Sequence, residues 1–359
     1  MEMSTRGFTN QPLDNAIDEI LDCDYPTIRF FPVRRSFNTA VQDDVIGNWR
    51  LMTPQTVETV TMIGFNFAKI INKTLKVPVG IIGCYWGGSR IEAWMSEETL
   101  KTFGPVTIKP ESLNNNMANR TPTVLYNAMV KPVSNYTIEG VLFYQGEANV
   151  TNPKLYEKLL PAMVKDWRND FENNFSFYYV QLAPFGYQNM GWNSNGVEAA
   201  LQREAQYNAK SSISNSGIVS TIDIGSETTI HPPDKRTVAK RLAYLALYKT
   251  YAMNGFNGET PYYVSHTIEG DKAIITLENT GYGLHSKTEP FMGFEIAGDD
   301  KVFYPATVEN VRGKNNQLSV FSDKVKKPIS VRYGFKNYQY GNLYNSYGIA
   351  ALPFRTDNW

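Results

Sequence analysis

Three histidines stand in the chain, His231, His266 and His285, and only His231 has the setting of a proton-transfer residue. It follows an apolar stretch, Gly217 to Ile224, and opens a run with helical spacing that begins His231-Pro-Pro-Asp-Lys-Arg. Asp223 and Glu227 lie just upstream. An imidazole above the end of a strand, with a carboxylate to fix its tautomer, is equipped as a general base. The same position also suits a histidine doing structural work near a helix cap. A second feature is Gln145-Gly146-Glu147, at the end of the apolar run Ile138 to Tyr144. A Gln amide and a Gly N–H there can donate to a developing oxyanion, where acyl-transfer chemistry gains much of its stabilisation; a polar turn that merely ends a strand has the same composition. The third is Trp86-Gly87-Gly88-Ser89, after Val79 to Tyr85. Paired glycines let the backbone approach a ligand and expose its N–H groups. Ser89 is a nucleophile by type, yet the local pattern is not the Gly-x-Ser-x-Gly elbow, and contact with substrate or capping of a helix fits it better.

These residues need elements that bring strand ends together. The first two thirds of the chain supply them, because short apolar runs alternate there with helical patterns, as in an α/β sheet with crossover helices. Strands are expected over Val79 to Tyr85, Ile138 to Tyr144, Phe175 to Leu182 and Gly217 to Ile224. Helices are expected over Gln55 to Leu75, Pro153 to Phe171, Val197 to Ala209 and Pro233 to Met253, each with apolar residues three and four apart. The stripe Tyr156, Leu159, Leu160, Met163, Val164, Trp167 is the clearest. In an open α/β sheet ligands bind beyond the carboxyl ends of the strands, which is where all three polar features fall. From about Thr260 short alternating runs separated by Gly, Asp and Asn turns take over, as in Ala273 to Leu277 and Ile329 to Tyr333. The expected division is an α/β domain over 1–255 and a small all-β domain over 256–359. The aromatic tail, Pro353-Phe-Arg-Thr-Asp-Asn-Trp359, is expected to dock.

Composition narrows the function classes. The chain has 359 residues, 42% hydrophobic and 19% charged, enough for a packed core. Lys+Arg and Asp+Glu both number 35 with no basic run, which argues against nucleic acid or an anionic membrane as partner. No uninterrupted apolar stretch reaches the length of a membrane span. Two cysteines, Cys23 and Cys84, make neither a disulfide framework nor a metal motif, so no metal is expected. Aromatic residues reach 13%; rings suit the apolar face of a sugar, though core filling accounts for most of them.

Together these blocks resemble the sialate O-acetylesterase family of the Ser-Gly-Asn-His hydrolases. Val77 to Gly83 followed by Trp86 to Trp94 is similar to the family's glycine block, and Gly140 to Asn149 to its Trp-Tyr-Gln-Gly-Glu-Ser-Asn block, with Phe143 where Trp is usual. Asp166-Trp-Arg, Phe177 to Pro184, Leu201 to Gln206 and Ile230 to Lys235 follow in the family's order, as do Gly293 to Ala297, Val331-Arg-Tyr and Pro353 to Asp357. The resemblance implies a flavodoxin-like parallel sheet, and a serine esterase that removes acetyl groups from carbohydrates without metal or organic cofactor. It implies His231 as base, and an oxyanion held by the N–H of Gly87 or Gly88, the Gln145 amide and the nucleophile's own N–H. An acetylated sugar is the implied partner, and a periplasmic or secreted setting is implied for the parent protein. Two departures stand out. The family's nucleophile block reads Gly-Gln-Ser-Asn-Met directly after the first strand, whereas this chain opens Met1-Glu-Met-Ser-Thr-Arg, which is similar to the block's continuation. The nucleophile and first strand are therefore expected to be missing, Ser4 matches a position after the motif, and the chain as given is expected to be inactive, the rival being a non-catalytic sugar-binding protein. The superfamily's Asp-x-x-His has Thr228 three residues before His231, which leaves Asp223 as first choice and Glu227 as second for the supporting acid.

Overall fold

The computed structural model describes residues 1–8, 11–114, 116–190, 194–288 and 290–359. They divide into two compact units. One comprises Met1–Val180, Ala205–Gly217 and Pro233–Ala246; the other comprises Gln181–Glu204, Ile218–Pro232 and Leu247–Trp359.

In chain order the α/β part contains α1 (Ala16–Leu21), β1 (Tyr25–Pro32), β2 (Arg50–Met52), α2 (Met62–Leu75), β3 (Val79–Gly83), α3 (Glu97–Lys101), β4 (Gly140–Phe143), α4 (Pro153–Asp170), β5 (Ser176–Val180), α5 (Glu198–Ala209), β6 (Ser216–Val219) and α6 (Lys235–Lys249). Two three-stranded sheets form, in the orders β2-β1-β3 and β4-β5-β6. β1 lies parallel to β3, with Ile28 opposite Val79 and Pro32 opposite Gly83. β4 lies parallel to β5, with Gly140 opposite Ser176. β5 is buried along its whole length, as expected of a strand covered on both faces. β3 and β4, each at one margin of its sheet, are mostly half-buried, with Gly80 and Gly140 exposed, whereas β6 at the other margin of the second sheet is buried.

Residue chemistry sets the ends of the helices. α2 begins at Met62 and not near Gln55, because Thr61 is its cap: Thr61 Oγ1 accepts from the Gly64 N–H at 3.3 Å. In α4, Asn152 accepts from the Leu155 N–H and Pro153 takes the first helical position, where its missing N–H costs nothing. The apolar stripe of α4 is buried from Tyr156 to Trp167. The Trp167 indole donates to Trp94 O at 2.9 Å, and Asp166 accepts from both the N–H and the hydroxyl of Ser96 at 2.9 Å. These bonds fasten α4 to the segment that follows β3.

β1 was not anticipated. Its inward residues are Ile28 and Phe30, each 1% exposed, but Pro26 and Arg29 interrupt the apolar alternation. α6 also begins later than expected, at Lys235, with Asp234 Oδ1 accepting from the Thr237 N–H at 2.8 Å as its cap. His231 therefore precedes the helix without opening it.

The C-terminal region is antiparallel. It contains β7 (Tyr262–Glu269), β8 (Lys272–Glu278), β9 (Leu284–Ser286), β10 (Phe294–Ala297), β11 (Phe303–Pro305), β12 (Thr307–Asn310), β13 (Gln317–Phe321), β14 (Ser330–Tyr333), β15 (Leu343–Asn345) and β16 (Phe354–Arg355). They form sheets ordered β12-β13-β8-β7, β11-β10-β14-β16 and β15-β9. One apolar core joins Ile275, Leu277, Phe294, Ile296, Leu318, Val320, Val331, Tyr333 and Phe354.

Candidate active site

Beyond the carboxyl end of β3 the chain turns through Trp86-Gly87-Gly88-Ser89. Gly88 has φ +71°, a backbone conformation that favours glycine. The Gly87 N–H donates to Glu2 Oε1 at 3.0 Å, and Glu2 Oε2 accepts from Arg35 at 2.6 Å. A Cβ on Gly87 would stand 2.6 Å from Glu2 Oε1, so a side chain there would displace the carboxylate. The Gly87 carbonyl accepts from Asn119 Nδ2 at 2.7 Å. Of the two N–H groups expected to face an oxyanion, Gly87's is thus engaged by a carboxylate, while Gly88's has no partner among the described residues. Ser89 is 8% exposed, and its Oγ accepts from the Trp94 indole at 2.8 Å.

Beyond β4, Gln145 is buried and Gly146 has φ 148°. Gln145 Nε2 donates to Ser89 O at 2.9 Å and to Asn149 Oδ1 at 2.8 Å, which engages both of its hydrogens. Gln145 Oε1 is buried without a donor. Asn149 Nδ2 donates to Glu92 Oε2 at 2.9 Å, and Asn149 Oδ1 also accepts from the Ile91 N–H at 3.0 Å. The Gln145 carbonyl accepts from Tyr156 and from Gln206 Nε2, each at 3.2 Å. One network therefore joins the turns after β3 and β4, and the Gly146 N–H has no partner among the described residues. Lys235, 4% exposed, lies 5.8 Å from the Tyr144 ring centroid. Burial pushes its ammonium down to about 8, opposed by the charges of Glu147 and Asp234.

In the other unit Asp223 is half-buried, and its Oδ2 accepts from the Tyr344 hydroxyl at 3.0 Å. Glu227 is exposed, and its backbone carbonyl accepts from the Gly186 N–H at 3.1 Å. His231 is half-buried in the bend before α6, and its N–H donates to Thr229 Oγ1 at 3.3 Å. Among the described residues no cluster of three or more His, Cys, Asp or Glu could hold a metal, and no helix is long and apolar enough to cross a membrane.

The model of a carbohydrate esterase family, sialic acid-specific acetylesterase, matches residues 15–247. The chain belongs to this family. A sialate O-acetylesterase from Pongo abelii is 29% identical over 314 residues, covering 80% of this chain and 59% of that protein. One from Homo sapiens is 30% identical over 228 residues, covering 59% and 43%. The chain thus spans little more than half the length, or less, of these curated relatives. The crystal structure of a carbohydrate acetylesterase from Xanthomonas citri superposes with a TM-score of 0.86 at 32% identity, covering 97% of this chain and 77% of that one.

Within this acetylesterase family member, the residues picked from sequence sit on the loops after β3, β4 and β6. Sequence reading missed the partners that hold them. Asn149 ends a recognised block, and its polar type beside Gln145 was the available signal. Glu2 and Asn119 meet Gly87 from 85 and 32 residues away, and no local pattern announces such contacts.

Proposed function

We propose that this chain carries the base and the oxyanion-binding part of a serine esterase that removes O-acetyl groups from sugars. Family membership and the similarity to the Xanthomonas citri acetylesterase support the reaction class. The observation that carries the reading is the pair of glycine turns beyond parallel strands, each with an N–H that has no partner among the described residues and both tied to one buried network.

In this reading a serine hydroxyl adds to the acetyl carbonyl while His231 takes its proton, and Asp223 holds the imidazole in the right tautomer. The carbonyl π pair moves onto oxygen, where backbone N–H groups of Gly88 and Gly146 receive it. Collapse expels the sugar oxygen, which takes the proton from His231. Water, deprotonated in turn by His231, then releases acetate from the acyl-enzyme. Ser89 is not assigned as the nucleophile, because its Oγ is buried and receives the Trp94 N–H. Acetylated sialic acid and acetylated plant-polysaccharide sugars are the substrate classes. That engagement of Ser89 also favours a second reading, sugar binding without turnover by residues 1–359.

The test is steady-state hydrolysis of acetylated sugars by the full-length protein. His231→Ala is expected to lower kcat by roughly three orders of magnitude, as loss of a triad member does. His266→Ala and His285→Ala should stay within a few-fold of wild type. Activity that survives His231→Ala but not one of the others would reject the assignment, and saturable sugar binding by a wild type without turnover would favour the second reading.

A further inference from the structure

Gly87 and Gly88 share a rigid peptide plane, in which the Gly87 carbonyl and the Gly88 N–H point in opposite directions. Whatever fixes the one aims the other. Asn119 Nδ2 holds the Gly87 carbonyl at 2.7 Å from a side chain only 9% exposed. The Asn119 backbone is itself fastened, since its main-chain carbonyl accepts from the Arg90 N–H at 3.0 Å, just past the turn the side chain holds. On the preceding peptide, Glu2 holds the Gly87 N–H. Past the Gly88–Ser89 peptide, Gln145 holds the Ser89 carbonyl. Three side chains thus engage three of the four peptide planes between Trp86 and Arg90, and the Gly88 N–H and Ser89 N–H are left without a partner among the described residues, the Gly88 N–H on the plane that Asn119 itself holds.

We propose that Asn119 is a positioning residue that aims the Gly88 N–H at the acyl oxygen, with Gln145 bracing the same turn from its other side; this rests on the deacetylation reading above. A hydrogen bond donated to the carbonyl also polarises the peptide, so the opposite N–H becomes a stronger donor. Glycine at both positions suits this arrangement. A Cβ on Gly87 meets Glu2, and a Cβ on Gly88 would stand 3.4 Å from Asn119 Nδ2 while holding φ at +71°. Asn119 does not touch the reacting atoms. Its effect is expected where charge develops on the acyl oxygen and not in binding of the sugar.

Asn119→Asp is the sharpest variant, because it keeps the shape but places a carboxylate oxygen against the Gly87 carbonyl. In the full-length protein it is expected to lower kcat about 10- to 100-fold, with KM within two-fold of wild type, the signature of a lost transition-state donor. Activity of the variant relative to wild type should recover as pH falls through the range where the new carboxyl becomes a donor. Asn119→Leu should show the same loss of kcat without that recovery. Selective ¹⁵N-glycine labelling provides a readout independent of turnover: the Gly88 amide resonance should move in both variants while most other glycines stay in place, which also shows that the fold persists. Loss confined to KM, or unchanged kcat in a folded Asn119→Asp protein, would overturn the proposal. A folded wild type without turnover would overturn the deacetylation reading and this proposal with it, whereas an active wild type with an indifferent Asn119 would overturn this proposal alone.

Discussion

Lys235 carries its ammonium almost entirely out of water, 5.8 Å from the centroid of the Tyr144 ring, with Glu147 and Asp234 as the carboxylates whose charges oppose the cost of burial. Because burial depresses its proton affinity to about 8, the folded chain releases this proton before the unfolded chain does. Below pH 8 both states hold the proton, and the fold bears the full cost of a desolvated charge. Between about pH 8 and the unfolded value near 10.4, only the unfolded state still binds it, so stability rises with pH, by roughly 3 kcal/mol from this group. Above that range the gain is complete. Lys235→Met should remove this rise. Urea unfolding of both proteins at about pH 7.5 and about pH 10.5 measures it, and equal increments in wild type and variant would show that Lys235 does not titrate in this way. The chemistry of this residue was hidden in the sequence. A lysine four positions after a histidine reads as a solvated helix start, and only the fold places it beside Tyr144.

Elements were legible wherever one periodicity ruled. The stripe of α4 and the buried run of β5 follow from spacing alone, since a covered strand is apolar throughout and a helix on a sheet is apolar at every third or fourth place. β1 escaped because its charged and proline positions face away from the core, and the start of α2 escaped because Thr61, and not the Thr-Pro segment before it, supplies the cap. The docked tail was legible from its aromatics, but the reason it docks was not. Asp357, with a fully buried side chain, takes a two-pronged pair from Arg332, at 2.8 Å from both Nε and Nη2. The Arg332 guanidinium lies 3.9 Å from the Phe303 ring centroid. Phe354 stacks on Tyr263 at 4.8 Å, and Arg355 pairs with Glu204 at 2.8 Å. Asp357→Ala leaves Arg332 without its carboxylate, and should destabilise the C-terminal β region by about 3 kcal/mol. Replacing both partners, as Arg332→Met with Asp357→Leu, should return most of that loss, because neither side is then left with an unmatched charge. Thermal unfolding of the single and double variants decides it: a double variant no more stable than Asp357→Ala would mean that the unmatched Arg332 charge is not the source of the loss.

At the scale of the whole molecule, the match with the Xanthomonas citri structure covers 97% of this chain and 77% of that one. The margin strands β3 and β4 carry apolar side chains that are only half-buried, and Ser89, the serine in the glycine turn, is engaged structurally. A serine nucleophile needs a free Oγ within reach of a base, whereas this Oγ is 2.8 Å from an indole N–H in a residue 8% exposed. Ser89→Ala should therefore act on stability and not on chemistry. It leaves the buried Trp94 N–H without its acceptor, at a cost of about 1–3 kcal/mol, while any hydrolysis of p-nitrophenyl acetate by residues 1–359 should match that of the wild-type chain. The backbone of the turn keeps the Gln145, Asn119 and Glu2 contacts that hold it in this variant. Turnover by residues 1–359 that vanishes with Ser89→Ala, in a variant whose melting is unchanged, would make Ser89 the nucleophile and would undo the assignment of its hydroxyl to Trp94.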